Sequence, residues 1–350
     1  MTDTPQQLKA LPAPLLAWYD GNRRRLPWRE EVSAYRTWVS EIMLQQTRVT
    51  AVLPYFDRFM AAFPTVEALA AAPEAQLMAL WQGLGYYSRA RNLQKAARQI
   101  VADFGGEFPG DYAALRSLAG VGDYTAAALA SIAFGQPVPA VDGNLLRVSA
   151  RIMGDRTDIT TAKGKKHFTA ALQEIIPLDC PGQFNQAMMD LGAMVCLPNG
   201  APLCDKCPAA DFCAAHREGT TGEIPVRPAK KPRKIQERTV YFLFYEGKVA
   251  LRRRPSRGLL AGLWEYPNEL ADAPDPLSAW GLQAGEPEFA GTGVHIFTHV
   301  EWHMTARKCR LTSPDLPQGW VWADKAALRD QYAIPSAFAS FRNLVEEELP

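Results

Sequence analysis

The spacing of hydrophobic positions changes along the chain and divides it into two regions. In residues 1–225, apolar side chains recur every three to four positions, which places them on one face of a helix. Two further segments of this type lie near Gly164–Ile176 and Phe184–Val195. Because no strand pattern appears here, we expect a mainly helical domain.

A basic, proline-rich stretch at 226–235 ends this region and predicts an extended linker. Beyond it, Thr239–Tyr245 and Lys248–Leu251 have the composition of β-strands and flank a Glu-Gly turn. Residues 236–350 are therefore expected to form a smaller α+β domain.

Composition narrows the class of protein only in part. A length of 350 residues allows two domains, and the net charge of +1 does not by itself indicate a nucleic-acid partner. The sequence contains no apolar run of about 18 residues and no signal-peptide core. We therefore expect a cytoplasmic protein without a targeting signal and without a membrane contact.

The loop Gly120-Val121-Gly122 separates two apolar helical segments. Glycines allow close approach of a partner, and the first N–H groups of the next helix lack intrahelical acceptors. A DNA phosphate is a natural ligand for such a loop, although a plain packing corner between helices has the same pattern. Asp142 follows the second of these helices.

Glu41, Gln45 and Arg48 are spaced so that they share one helix face. Taken alone, a carboxylate on such a face is usually a solvated charge.

Four cysteines are spaced Cys196-x7-Cys204-x2-Cys207-x5-Cys213. This pattern indicates a metal site in a reducing compartment, and its spacing suits either tetrahedral zinc or an iron–sulfur cluster. The spacing does not decide between these two, nor does it exclude unligated thiols.

Several segments together resemble the MutY-type adenine DNA glycosylases of the endonuclease III superfamily: the hairpin with Asp142, Ser40–Arg48, Gly83–Leu93 and Phe184–Ala193. The resemblance covers most of residues 15–215. It implies a two-lobed helix-hairpin-helix glycosylase domain at 1–225, the linker at 226–235 and a Nudix-like lesion-recognition domain at 236–350. The expected reaction is hydrolysis of adenine mispaired with 8-oxoguanine or guanine in double-stranded DNA, by a monomer that leaves an abasic site.

The resemblance also implies roles for individual residues. Glu41 would protonate the leaving adenine at N7 and Asp142 would face the sugar cation, the same division of labour that two carboxyl groups have in glycoside hydrolysis. Tyr124 and Asn144 would assist them. Because glycosylase/lyases carry a Schiff-base lysine at the position of Tyr124, we expect no strong lyase activity.

The remaining expected contacts follow from the same resemblance. Tyr86 would intercalate in the duplex, Gln46 and Thr47 would touch the partner base, and the expected wall of the adenine pocket comprises Trp28, Arg29 and Gln186. Further DNA contacts are expected from Arg48, Gly120, Val121, Gly122, Thr298 and His299. In the last pair a threonine replaces the serine of the family's Phe-Ser-His loop.

The family carries a [4Fe–4S] cluster, which we expect in the loop 196–213 although its first gap is one residue longer than usual. The Gly258–Pro267 segment resembles the glycine-rich strand of Nudix domains but is not followed by their glutamate-rich helix. Three alternatives remain at this stage: an endonuclease III-like glycosylase/lyase for oxidised pyrimidines, a non-catalytic DNA-binding protein with a zinc-stabilised module, and a Nudix hydrolase.

Overall fold

The computed structural model describes residues 5–228, 232–332 and 334–350, so three residues of the predicted linker lie outside the described chain. Packing divides the protein into two compact units. The first comprises Met1–Ala71 with Arg91–Ala229, and the second comprises Ala72–Ala90 with Lys230–Pro350.

Residues 5–228 are helical where they have regular structure, and the mainly α class expected for this region is confirmed. The helices are α1 (Gln6–Lys9), α2 (Pro12–Asn22), α3 (Pro27–Glu30), α4 (Ala34–Leu44), α5 (Val49–Ala62), α6 (Val66–Ala71), α7 (Glu74–Trp81), α8 (Ser88–Phe104), α9 (Tyr112–Ser117), α10 (Asp123–Ile132), α11 (Gly143–Met153), α12 (Ala162–Gln173), α13 (Pro181–Met194) and α14 (Ala214–Arg217).

The turn between α9 and α10 requires a glycine at its first position. Gly120 has a φ of +74°, and a Cβ built there would lie 2.7 Å from Cβ of Asn92. The following helix, α10, is buried from Thr125 to Ser131, mostly through alanines that allow its neighbours to approach closely.

Helix α13 packs against α10 and α11 and fixes the segment between them. Asn185 is fully buried and donates to Ser131 Oγ at 2.8 Å and to the Val138 carbonyl at 2.9 Å. Its own Oδ1 accepts from the Ala140 N–H at 3.0 Å. These three bonds hold the backbone that leads into Asp142.

The second unit contains a sheet with the strand order β3-β2-β1-β6-β5, in which β4 also pairs with β1 and β7 with β2. The described strands are β1 (Lys234–Tyr245), β2 (Lys248–Arg253), β3 (Trp264–Glu265), β4 (Asn268–Leu270), β5 (Glu288–Ile296), β6 (Val300–Arg310) and β7 (Trp320–Ala323). Buried aromatic side chains, among them Phe242, Trp302 and Phe341, fill the core on one face of the sheet.

Strand β1 begins earlier than the sequence pattern predicts. Lys234 and Ile235, the last two residues of the expected linker, already pair with Val300 and Glu301 of the parallel strand β6. This pairing partner is 66 positions away, so a local composition rich in proline and lysine does not reveal it.

Short helices complete the second unit: α15 (Pro276–Ala279), α16 (Lys325–Asp330) and α17 (Arg342–Glu348). Between β4 and β5, the described chain has only the four residues of α15 in helical conformation. Across the described ranges, no helix is both long enough and apolar enough to span a membrane.

Candidate active site

A cavity of about 720 Å³ in the first unit brings together ten of the residues that the sequence predicts for the site. These are Trp28, Arg29, Glu41, Gln46, Thr47, Arg48, Tyr124, Asp142, Asn144 and Gln186. Gly120, Val121 and Gly122 do not line this cavity, and Tyr86, Thr298 and His299 belong to the second unit.

Glu41 lies on α4 in the wall of this cavity and is only 6% exposed. The hydroxyl of Tyr124 donates to Oε2 of Glu41 at 2.6 Å. Burial raises the pKa of Glu41, while the Tyr124 bond and the charge of Arg29 oppose this change. A carboxyl group that resists ionisation can hold a proton at neutral pH and donate it to a leaving group.

Asp142 is the N-cap of α11 and accepts three hydrogen bonds. Its Oδ1 accepts from the N–H groups of Asn144 and Leu145, both at 2.8 Å, and its Oδ2 accepts from Asn144 Nδ2 at 2.8 Å. Burial raises the pKa of Asp142, but these three donors favour its ionised form. The carboxylate is thus held in one orientation beside Glu41's cavity.

A buried arginine, Arg147, holds the side chain of Asn144 in place. Arg147 donates to Asn144 Oδ1 at 3.0 Å, to the Gly192 carbonyl at 2.7 Å and to the Cys196 carbonyl at 2.9 Å. Hydrogen bonds therefore connect the partner of Asp142 with the start of the cysteine-containing loop.

Another part of the cavity wall is built from α3 and α13. Trp28 packs edge-on against Phe56 with ring centroids 5.1 Å apart. Gln186 accepts from the Tyr19 hydroxyl at 3.1 Å, and Arg29 binds the buried Asp190. These side chains are fixed before any ligand enters.

The rim of the cavity contains a strained residue. Gln46, between α4 and α5, has a φ of +60°, a conformation that non-glycine residues seldom adopt and that often occurs at functional sites. Thr47 and Arg48 follow it along the same rim.

Sequence reasoning missed several lining residues, among them Arg24, Leu26 and Thr37. Arg24 had a signal, since it belongs to the triplet Arg23–Arg25, but that triplet is equally typical of a solvated surface. Thr37 precedes Glu41 by one helical turn, and its buried hydroxyl has no hydrogen-bond partner within the described part of the chain.

The hairpin loop presents the start of α10 together with an ion pair. Arg116 Nε lies 2.5 Å from Oδ1 of Asp123, the first residue of α10. This pairing partly neutralises the negative charge of Asp123 at the start of α10.

The four cysteines of the 196–213 loop line a common small cavity, with Arg151 in its wall. Arg151 donates to Cys196 Sγ at 3.3 Å. Burial raises the pKa of the Cys207 thiol to about 12, so thiolates here would need a cation among them. Within the described ranges, no three His, Cys, Asp or Glu side chains are arranged around the position of a single metal ion.

In the second unit, two predicted DNA contacts meet each other. Tyr86 follows Gly85 in a loop of positive φ angles and is half exposed. Its hydroxyl lies 2.9 Å from Oγ1 of Thr298, in the turn between β5 and β6. Phe297 anchors this turn by packing against Trp302, with ring centroids 4.9 Å apart.

A helical hairpin, together with two carboxyl groups that line one cavity, defines a helix-hairpin-helix base-excision enzyme. In agreement, residues 39–177 match the HhH-GPD superfamily of base excision DNA repair proteins, and residues 239–343 match the NUDIX domain. Among solved structures, a thermostable thymine-DNA glycosylase aligns with a TM-score of 0.56 and 28% identity, covering 61% of this chain and 98% of that one. A trapped endonuclease III–DNA covalent intermediate aligns with a TM-score of 0.54 and 25% identity, over 63% of this chain and 99% of that one.

Relatives of known activity narrow the class further. The adenine DNA glycosylase of Rattus norvegicus is 35% identical over 82% of this chain and 68% of its own length. That of Buchnera aphidicola subsp. Schizaphis graminum is 34% identical over 73% of each chain. The chain belongs to the adenine DNA glycosylase family, and it is an enzyme, a hydrolase of N-glycosyl bonds. The non-catalytic alternative is therefore wrong.

Proposed function

We propose that this enzyme removes adenine mispaired with 8-oxoguanine, and more slowly adenine mispaired with guanine, by hydrolysis to an abasic site. The observation that carries this proposal is that Glu41 and Asp142 line one cavity, where Glu41 accepts one hydrogen bond from a hydroxyl and Asp142 accepts three from N–H groups. The wall of Trp28, Arg29 and Gln186 gives that cavity an aromatic surface and polar groups suited to a nucleobase.

The reaction breaks the bond between adenine N9 and the sugar carbon C1′. As the bonding electrons move into the base, Glu41 transfers its proton to N7, and adenine leaves as a neutral molecule. The carboxylate of Asp142 stabilises the positive charge that develops on the sugar or bonds transiently to C1′. Water supplies the hydroxyl group at C1′, and the proton it releases restores the acid form of Glu41.

The absence of lyase chemistry follows from Tyr124. A Schiff base requires an amine, whereas Tyr124 has a phenol whose pKa burial raises well above its ordinary value. Tyr124 therefore remains a hydrogen-bond donor to Glu41 and forms no covalent link to the sugar.

We further propose that Gly120–Gly122 contacts a DNA phosphate through backbone N–H groups and that Gln46, Thr47, Arg48, Tyr86, Thr298 and His299 contact the DNA strands. The support is the N-terminus of α10 at the hairpin and the placement of the first three side chains on the cavity rim. We also propose a cytoplasmic, nucleoid-associated location of bacterial type, because the proposed substrate is DNA and the relatives include a protein of Buchnera aphidicola.

The donor set at Cys196, Cys204, Cys207 and Cys213 fits a [4Fe–4S] cluster. The four cysteines line one cavity, and four cysteine thiolates are the ligand set of such a cluster. Such a cluster would hold the 196–213 loop in place, and Arg147 ties the start of that loop to Asn144.

Metal analysis tests this assignment. We expect anaerobically purified protein to be brown and to contain about four irons with matching sulfide. One equivalent of zinc without visible absorbance would contradict it. Cys204→Ser should lower both the iron content and the folded yield, because a metal bound only in the native state contributes to stability.

The reaction itself is tested with duplex DNA that contains adenine opposite 8-oxoguanine, followed by alkali to cleave at abasic sites. We expect strand cleavage only after alkali treatment. Cleavage without alkali, or efficient borohydride trapping of a protein–DNA adduct, would instead favour a glycosylase/lyase.

A further inference from the structure

Two arginines of the base cavity meet on one buried carboxylate. Asp190 is fully buried on α13, and Arg29 donates to both of its oxygens, at 2.7 and 3.1 Å. Arg24 donates to it through Nε at 2.7 Å and through its backbone N–H at 3.2 Å, with its terminal nitrogen 2.5 Å away. Each arginine is separated from Asp190 by more than 160 residues of sequence.

This group lies directly behind the wall of the cavity. Arg24 and Arg29 both line it, whereas Asp190 does not line it and is bonded to both arginines. Gln186, one helical turn before Asp190 on α13, lines the same wall. A second cavity of about 790 Å³ shares Arg24, Arg29 and Gln186 with the first, so these side chains form the partition between the two.

The cluster of Arg24, Arg29 and Asp190 carries more positive than negative charge. Arg29 is near enough to Glu41 for its charge to favour the ionised form of that carboxyl group. The other ionisable groups facing Glu41 are Tyr124 of α10 and Asp142 at the start of α11, with Arg48 in the same cavity wall. Asp190 is the carboxylate bound to Arg29, so it determines how much of the arginine's charge acts on Glu41.

A stabilising role for the fold does not by itself account for this cluster. Replacing a buried ion pair with apolar side chains is often neutral or favourable, because desolvation offsets much of the attraction. Asp190 remains ionised despite its burial: although burial raises its pKa, the two arginines lower it below the ordinary value. A permanent negative charge is therefore fixed behind Arg29.

We propose that Asp190 is a positioning residue that holds Arg29 in the wall of the base cavity and compensates its charge beside Glu41. This inference rests on the proposed role of Glu41 as the general acid. Because the acid must be protonated, the rate should fall as pH rises through the pKa of Glu41. Removing the charge of Asp190 leaves Arg29 uncompensated, which favours ionised Glu41 and moves this alkaline limb to lower pH.

The test is the single-turnover rate of adenine excision between about pH 5 and pH 9 for the full chain. In Asp190→Asn we expect the alkaline limb to move down by about one pH unit or more, which lowers the rate at least about tenfold on that side. Arg29→Gln should move the limb in the opposite direction. The double variant should return towards the position of the unmodified protein.

Two further variants separate this role from a purely structural one. Asp155→Asn removes another carboxylate of the same unit, one paired with His167 at 2.7 Å outside the cavity lining, and should leave the limb in place. Asp190→Glu retains the charge and should retain the limb even if the rate falls. If Asp190→Asn does not fold, Arg29→Gln and Asp190→Glu still decide the matter: the limb should move to higher pH in Arg29→Gln and stay in place in Asp190→Glu, and an unmoved limb in Arg29→Gln would overturn the proposal.

A uniform fall in the rate of Asp190→Asn at every pH would show that Asp190 has only a structural role and would overturn the proposal. Alkaline limbs that move in the same direction in Asp190→Asn and Arg29→Gln would also overturn it. Failure of the underlying function looks different. If Glu41→Gln excised adenine normally, the acid assignment itself would be wrong, whereas an inactive Glu41→Gln with an unmoved limb in Asp190→Asn would refute only the role of Asp190.

Discussion

At the scale of single residues, Glu41 and Asp142 have the same functional group and different surroundings. Glu41 is buried with one O–H donor, whereas Asp142 caps a helix with three N–H donors. Burial raises the pKa of both carboxyl groups, but Asp142 accepts more hydrogen bonds that favour its ionised form. This difference supports the proposed roles of Glu41 as the acid and Asp142 as the carboxylate.

The first prediction concerns this pair. Glu41→Gln preserves the shape of the side chain but removes the proton donor, and we expect excision to slow by about 10²–10⁴-fold. Asp142→Asn should slow it comparably, because an amide carries no charge to stabilise the sugar cation. Single-turnover kinetics measure both, and a DNA-binding assay serves as the control. Normal excision by either variant would contradict the two-carboxyl mechanism.

The second prediction concerns Thr37, whose buried hydroxyl has no partner within the described residues. Leaving a polar group unpaired in the interior is unfavourable, so Thr37→Val should increase the free energy of unfolding by about 1 kcal/mol. Thermal denaturation measures this change. Ser149→Ala, which removes a comparable buried hydroxyl away from the cavity, is the matched control. A loss of activity in Thr37→Val without a loss of stability would show that the hydroxyl is used by the substrate.

At the scale of elements, the crossing of α11 and α13 positions Asn144 and Asp142, two of the proposed catalytic residues. A Cβ added to Gly192 would lie 2.7 Å from Cβ of Asn144 and 3.3 Å from a terminal nitrogen of Arg147. The glycine therefore allows α13 to approach α11 closely enough for its carbonyl to bind Arg147. Asn144 and Asp142 depend on that approach for their positions.

The third prediction follows from this contact. Gly192→Ala should displace Asn144, reducing the excision rate and lowering the free energy of unfolding by about 1–3 kcal/mol, as overpacking does elsewhere. Gly21→Ala in α2 is the control, because a Cβ there meets nothing within 4 Å and alanine favours a helix. Equal effects of the two substitutions on rate and melting temperature would argue against a special role for the crossing.

Elements also show what the sequence could and could not predict. The helices, the hairpin and the order of the cysteines follow from local spacing, and the site residues followed from segments that resemble a known family. The partners of Asp190 did not, because Arg24 and Arg29 are more than 160 residues away and a local pattern contains no information on such contacts. The early start of β1 was missed for the same reason, since its partner strand lies far along the chain.

At the scale of the whole molecule, the second unit combines a segment of the helical region with the Nudix-like sheet. Ala72–Ala90 packs with Lys230–Pro350. Tyr86, which is predicted to intercalate in the duplex, therefore belongs to the same unit as Thr298, which is predicted to contact the DNA. Their hydroxyl groups are 2.9 Å apart although 212 residues separate them. This hydrogen bond would fix the orientation of the Thr298 hydroxyl before DNA binds.

The last prediction concerns the choice of partner base. 8-Oxoguanine carries a proton on N7 that guanine lacks, so the hydroxyl of Thr298 can accept a hydrogen bond from the lesion alone. Thr298→Val keeps the shape of the side chain without the hydroxyl and should reduce the preference for 8-oxoguanine over guanine by roughly twofold to tenfold, the equivalent of one hydrogen bond. Tyr86→Phe removes the bond to Thr298 and should weaken the same preference. The effect of the double variant should be smaller than the sum of the two single effects, because the two hydroxyls act together.

Thr292→Val, on an exposed threonine of β5, is the control and should not change the preference. The measurement is the ratio of excision rates on duplexes with each partner base. If Thr298→Val kept the full ratio, recognition of the lesion would rest on Gln46, Thr47 and the ring of Tyr86, and the loop Phe297-Thr298-His299 would contribute only to the shape of the turn.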